Sequence, residues 1–319
     1  MARYFLRRIL QAAFVVWAAF TVTFAILYVL PNDPVTIMLD MRGDGVQADP
    51  AQLMALRTRY GLDRPVVVQY ATALREAVRG RFGTSIQLDR PVTTAIVDAL
   101  PETLKLTALA LVLATGLGGA LALGATFLRA GGLRDALLSL PAFGVSVPSF
   151  WVGLVLLQLF SFHWAFFPAM GNAGAASLVL PALTLAVPTA AAIAQVLGKS
   201  LLTAWEQPYI ATALAKGASR GRVHLRHALR NAAIPALTLF GMSIGHLLAG
   251  SVVTETVFSR AGIGRLTELA VKTHDIPLLE GLVVLSTVIF VGANLAVDLL
   301  CPLIDRRILL ATPLRRGTT

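Results

Sequence analysis

The chain has 319 residues, 56% of them hydrophobic and only 14% charged, with a mean hydropathy of +0.73. A soluble domain carries about 25% charged residues, so a water-soluble globule is excluded and a polytopic all-α membrane protein is expected. The net charge of +10 would suit nucleic acid in a soluble protein, but its distribution along the chain assigns it to membrane orientation instead.

Residues 1–30 form a short basic tip, Met1 to Arg8, and a first span. Ile9 to Leu30 has neither a charge nor a proline. At about 1.5 Å per residue, 22 residues cross a hydrocarbon core of roughly 30 Å. A cleaved signal peptide would have a shorter apolar run, about 7–15 residues, and a small-residue cleavage site. This run is longer and lacks the site, so an uncleaved span is expected.

Residues 31–102 are the one long polar region. Eight arginines and nine acids are mixed along it, and long loops translocate largely regardless of charge. Helical spacing is present over Pro50–Tyr60 and Val66–Val78, with Gly61 to Pro65 as the break between them.

Residues 103–305 hold five further apolar runs. They are Leu104–Leu128, Leu137–Phe162 interrupted by Pro141 and Pro148, Leu178–Leu202 with Pro181 and Pro188, Ala232–Thr254, and Leu282–Ile304. Gly116, Ala120 and Gly124, and then Gly241, Gly245 and Ala249, lie at four-residue spacing. Small faces of this kind let helices pack closely. Loop 203–231 leaves the membrane. Pro208 to Pro235 carries Lys216, Arg220, Arg222, Arg226 and Arg230 and no acid. Its first half is small-residued, and Ser219 is placed as an N-cap of the basic helix that follows. The stretches assigned to the cytoplasm, the tail 306–319 included, hold fifteen basic and four acidic residues. Six spans then put both termini in the cytoplasm.

The residues of the loop carry a resemblance. Tyr209, Thr212, Ala213, Ala215, Lys216 and Gly217, followed by His227 to Pro235 (HALRNAAIP), resemble the EAA loop of ABC importer permeases of the dipeptide, oligopeptide and nickel branch. Pro31 to Pro34, Tyr60 to Pro65, Gln69-Tyr70, Phe82 to Ser85 and Arg90 to Val92 resemble the same branch. So do Glu255, Phe258, Gly262, Gly264, Arg265, Asp275, Pro277 and Gly281, with Asn294 and Asp298 one turn apart. Asn32 stands where members more often have Gly, and Pro208, Ala211 and Leu214 stand where charged side chains are common.

The resemblance implies a type I importer permease fold and no enzymatic activity in this chain. It implies a second, different permease subunit, two cytoplasmic ATPase subunits that bind ATP and magnesium, and an extracytoplasmic substrate-binding protein. Tyr209, Thr212, Ala213, Leu214, Ala215, Lys216 and Gly217 would form the helix that docks on an ATPase. Ser146, Ser149 and His246 are candidates for the translocation path. Glu255, Arg265 and Asp275 are candidates for the binding-protein contact. The solute would be a di- or oligopeptide; a nickel chelate or another small solute is the alternative. A gradient-driven secondary transporter would want buried acids or broken helices near the midplane, and the spans hold almost no acids.

Other chemistry finds little support. Gly198, Lys199 and Ser200 are the end of a phosphate-loop pattern, but Ile193 occupies the position that needs glycine. No nucleotide site is expected here, and Lys199 reads as a lysine reaching the membrane interface. The single cysteine, Cys301, excludes an intrachain disulfide and a cysteine-based zinc site. His224 and His227 sit among arginines and are expected to be solvated or lipid-facing. His246 is either a functional residue or a neutral imidazole bonded to a neighbouring helix. Glu255, Glu268, Asp275 and Glu280 read as solvated surface.

Overall fold

The computed structural model describes residues 2–29, 54, 58, 63–129 and 131–304, with backbone only at 2–5, 28, 29 and 297–304. Of the expected helix over Pro50–Tyr60 only Met54 and Thr58 are described, both helical, and the Pro31 to Pro34 motif and the tail 306–319 lie outside. Among the described residues the chain is helical, and its one isolated extended pairing is a bridge between Thr84 and Pro91. In order, the helices are α1 (Ala2–Phe24, widening to a π turn over Ala25–Val29), α2 (Val66–Val78), α3 (Val92–Phe127), α4 (Gly132–Ser146), α5 (Ser149–His163), α6 (Ala176–Trp205), α7 (Pro208–Ala215), α8 (Arg220–Val257), α9 (Ile263–Lys272) and α10 (Ile276–Ile304). They divide into two compact units: Met1–Leu104 with Ser259–Val291, and Lys105–Phe258 with Gly292–Thr319.

In the first unit α1 is apolar all round from Ile9 onward yet little buried. Leu6, Ile9, Leu10 and Phe14 are all more than half exposed, as a helix facing lipid requires. Its far end packs Phe20 and Phe24 on Tyr70 of α2, whose hydroxyl lies 2.8 Å from Thr21 Oγ1. α2 occupies the predicted Val66–Val78, opened by Pro65. The start of α3 packs Val92, Ala95 and Ile96 on Ile263 and Ala270 of α9 and on Leu278 and Leu282 of α10.

The second unit is built on α6. One face of α3, Leu106, Ala110, Ala114, Gly118, Ala122 and Thr126, is buried at four-residue spacing. Leu106 and Ala110 meet Ala182 and Leu185, Ala114 meets Ala186 and Ala190, and Ala122 meets Leu197 and Leu201. Both numbers rise together, so α3 and α6 run parallel. The crossing is close at Gly118, where any Cβ would come within 2.4 Å of the Ala190 carbonyl oxygen. The stripe expected to pack, Gly116, Ala120 and Gly124, is exposed within the chain. The buried face is the adjacent one, because only there does the small residue meet backbone.

Two parallel helices require a crossing between them, and α4 and α5 supply it as one bent span. They turn by 100° at Val147-Pro148. Proline excludes the helical conformation from the residue before it, and Val147 is extended, with ψ of 126°. Pro141 stays inside α4 without a break, against the expectation of two interruptions. Among the described residues five helices are long and apolar enough to cross a membrane alone, and the bent pair, taken as one span, makes six.

Candidate functional site

The short helix α7 is delimited by its own sequence. Gln207 is extended at its N-cap and Pro208 takes the first helical position, where the missing N–H is no loss. At the other end Gly217 adopts φ +81°. Its N–H donates to Leu214 O (2.9 Å), and the Ala218 N–H donates to Ala213 O (3.2 Å). These two bonds make a Schellman stop, which favours glycine at that left-handed position. Ser219 then caps α8, its Oγ accepting from the Arg222 N–H at 3.4 Å, as its place in the sequence predicts.

α7 is moored on one side only. Ile210 is 2% exposed, packed with Leu201 and Ala204 of α6 and Val223 and Ala228 of α8. Its outward face is small and open: Ala211, Thr212, Ala215 and Lys216 are all exposed. Tyr209 (37% exposed) and Leu214 (43%) stand beside it.

Beneath α7 lies a contact that sequence reasoning missed. His224, expected to be solvated or lipid-facing, is 1% exposed. Trp205 Nε1–H donates to its Nδ1 at 2.8 Å. An accepting Nδ1 leaves the ring hydrogen on Nε2, which faces Leu123 O at 3.3 Å and Thr126 Oγ1 at 3.5 Å. The Arg220 guanidinium lies over the Trp205 ring (5.1 Å) and the Phe127 ring (5.8 Å) and donates to Leu128 O at 3.4 Å. One tryptophan, one histidine and one arginine thus tie the ends of α6 and α3 to the start of α8. His227, by contrast, is exposed.

The remaining predicted residues are not brought together. Ser146 ends α4 and bonds its own helix at Ala142 O (2.8 Å), Ser149 opens α5, and His246 is exposed on α8. Glu255 (1% exposed), Asp275 (0%) and Glu280 (6%) are buried, so the reading of these carboxylates as solvated surface is wrong. Neither Glu255 nor Asp275 presents its side chain at the surface of the chain. Asp275 accepts from Ser85 Oγ (2.5 Å), the Gln87 N–H (3.1 Å) and the Leu278 N–H (3.2 Å). It caps α10 and latches a loop. Arg260, 1% exposed, pairs with Glu102 at 2.8 Å. Arg265 is exposed, on an open cleft of about 510 Å³ shared with Arg90, Asp98, Glu268 and Lys272. Among the described residues no three His, Cys, Asp or Glu side chains converge as a metal site would need.

Residues 114–310 match the family described as binding-protein-dependent transport system inner membrane component, and residues 1–107 match its N-terminal companion. The chain is 35% identical to the "Probable peptide ABC transporter permease protein y4tP" of Sinorhizobium fredii, over 97% of its own length and 99% of that protein's. It is 33% identical to the "Glutathione transport system permease protein GsiC" of Salmonella choleraesuis, covering 94% of this chain and 96% of that one. Its fold resembles a chain of the inward-facing MetNI methionine ABC transporter, with a TM-score of 0.57 at 17% identity over 66% of this chain and 97% of that one.

Proposed function

The chain belongs to the binding-protein-dependent transport system inner membrane components, and on that premise we propose that it is one of two membrane subunits of an ATP-driven importer for di- or oligopeptides. The observation that carries the reading is α7: a short helix on the basic loop, moored by Ile210 and open on a face of alanines and Thr212. Full-length similarity to permeases named for peptide and glutathione transport supports the solute class.

In this reading Pro208–Pro235 and both termini are cytoplasmic, in keeping with the basic excess there. A different permease chain completes the path. Two ATPase subunits bind ATP and magnesium and carry out hydrolysis, and this chain has no catalytic site of its own. Closure of the ATPases pushes on α7. The Trp205–His224–Arg220 contact passes the push to α6, α3 and α8 together, which opens and closes the path alternately. A binding protein docks on the outer face at the 31–102 and 255–281 regions, with the exposed Arg265 cleft as its contact in this chain. Asp275 serves that face from within, by latching the Ser85–Leu88 loop. Ser146, Ser149 and His246 remain candidates for lining the path.

Purification of the chain from its native membrane tests the assembly: an ATPase and a second permease are expected to co-elute. A chain that elutes alone under mild detergent counts against it. The stop of α7 gives a sharper test. Gly217→Val puts a β-branched residue at φ +81°, which costs about 1–3 kcal/mol. No atom of the chain lies within 4 Å of the added Cβ, so within the chain the strain falls on the backbone conformation. Uptake is expected to fall while the protein stays in the membrane and hydrolysis continues. Normal uptake by this variant would remove Gly217 from the coupling role.

A further inference from the structure

The inner helix α6 exposes almost nothing. Past its first residue, only Gln195, Lys199 and Thr203 are exposed. They lie four residues apart and so on one face. No large apolar side chain of α6 is exposed, whereas α1 exposes Leu10, Phe14 and Trp17, and α3 exposes Val112 and Leu117. A face that meets lipid is apolar, as those are. Lys199 and Thr203 of this stripe border an open hollow of about 740 Å³, lined also by Asn231 and Pro235 of α8 and by Gln207 and Tyr209; Gln195 lies one turn deeper along the same face.

Helix rise sets Lys199 about 9 Å and Gln195 about 15 Å from the Trp205 end of α6. An ammonium on a long stem can reach the interface from there; a glutamine a turn further in cannot. The expected role of Lys199 as an interface lysine therefore leaves Gln195 and the hollow unexplained. Lys199 has no carboxylate partner among the described residues. Glu206, the nearest acid along the face, lies about two turns away and outside the hollow.

We propose that Gln195, Lys199, Thr203 and Asn231 line a water-filled vestibule through which the solute leaves, and that Lys199 receives a carboxylate of the passing peptide. The amide and hydroxyl groups offer donors and acceptors to peptide groups without fixing them. The single ammonium selects the acidic end of the solute over its amine. Passage requires such a contact to be weak, and an exposed ion pair is weak. The inference rests on the importer reading given above.

The test uses the whole transporter with Cys301 replaced and one cysteine introduced at a time. A water-soluble, membrane-impermeant thiol reagent is offered from the ATPase side. Gln195→Cys, Lys199→Cys and Thr203→Cys are expected to react readily, while Val112→Cys on the exposed apolar side of α3 is expected not to. Absence of reaction at 195 and 199 in every nucleotide state overturns the vestibule. A cross-link from those positions to the second permease would then identify the stripe as a subunit interface. In a second arm, Lys199→Gln is expected to lower uptake of a peptide with a free terminal carboxylate about two- to fivefold relative to its amide, and Lys199→Arg to restore it. Equal effects on acid and amide overturn the carboxylate contact. A wild-type complex that takes up neither peptide overturns the peptide reading and the carboxylate contact with it, while the labelling still decides whether the stripe is wet.

Discussion

Leu214→Asp is expected to release the ATPase from the membrane complex, whereas high salt alone leaves it bound. Ile210 is already buried within the chain, and Leu214 is 43% exposed. Of the two large aliphatic side chains of α7, only Leu214 has apolar area left to give a partner. Completing its burial contributes about 1 kcal/mol, a fraction of the ~1.5–3 for a whole side chain. An aspartate buried there without a partner costs several kcal/mol, enough to shift binding by about a hundredfold. The cations nearby, Lys216 and Arg222, are exposed; pairs made by such groups are worth roughly 0–1 kcal/mol and are screened by salt. Arg220 is half-buried against Trp205 and Phe127 and is committed to the fold. Ile210→Asp should behave differently, reducing the amount of folded chain as well as ATPase binding. If moderate salt strips the ATPase, or Leu214→Asp leaves it attached, the contact is carried by Lys216 and the arginines beyond it.

Asp275→Ala is expected to lower the apparent Tm of the purified complex by several degrees and to reduce the chain recovered from membranes. Its carboxylate, fully buried, satisfies a hydroxyl and two backbone N–H groups from two separate stretches of chain. Removing the carboxylate leaves these donors without their acceptor, at a cost of about 1–3 kcal/mol for each one that stays buried. Asp275→Asn should fall between wild type and alanine, because one amide oxygen remains to accept while the NH2 group confronts a donor. The loop held in this way, around Ser85 to Leu88, precedes Arg90 on the cleft that also holds Arg265. Loss of the latch should therefore weaken response to the binding protein even in the chain that survives. An unchanged Tm for Asp275→Ala would mean that water replaces the carboxylate and that the latch is dispensable.

The features that sequence made legible are those set by neighbouring residues. The start of α2 after Pro65, the Gly217 stop and the Ser219 cap each depend on contacts within five residues, and the structure has each of them. The apolar runs likewise become helices without need of a partner. What escaped depends on distance along the chain. Ser85 meets Asp275 across 190 residues, and an isolated acid in a polar segment gives no sign of such a partner. His224 looked solvated because its neighbours in sequence are arginines; its neighbours in space are Trp205, Thr126 and Phe127. Pro141 and Pro148 are alike in sequence, yet only Pro148 breaks the span. The stripe on α6 was not read from the sequence, where Lys199 stood alone as an interface lysine; it emerges only from the burial of everything around it.

The most direct measurement is uptake of a labelled dipeptide or oligopeptide into proteoliposomes that contain the chain with its co-purifying subunits. Uptake is predicted to require both ATP on the side of α7 and the binding protein on the opposite side, and to persist when ion gradients are collapsed. Uptake that continues without ATP and stops when an ionophore dissipates the gradient would contradict the assignment and make the chain a secondary transporter.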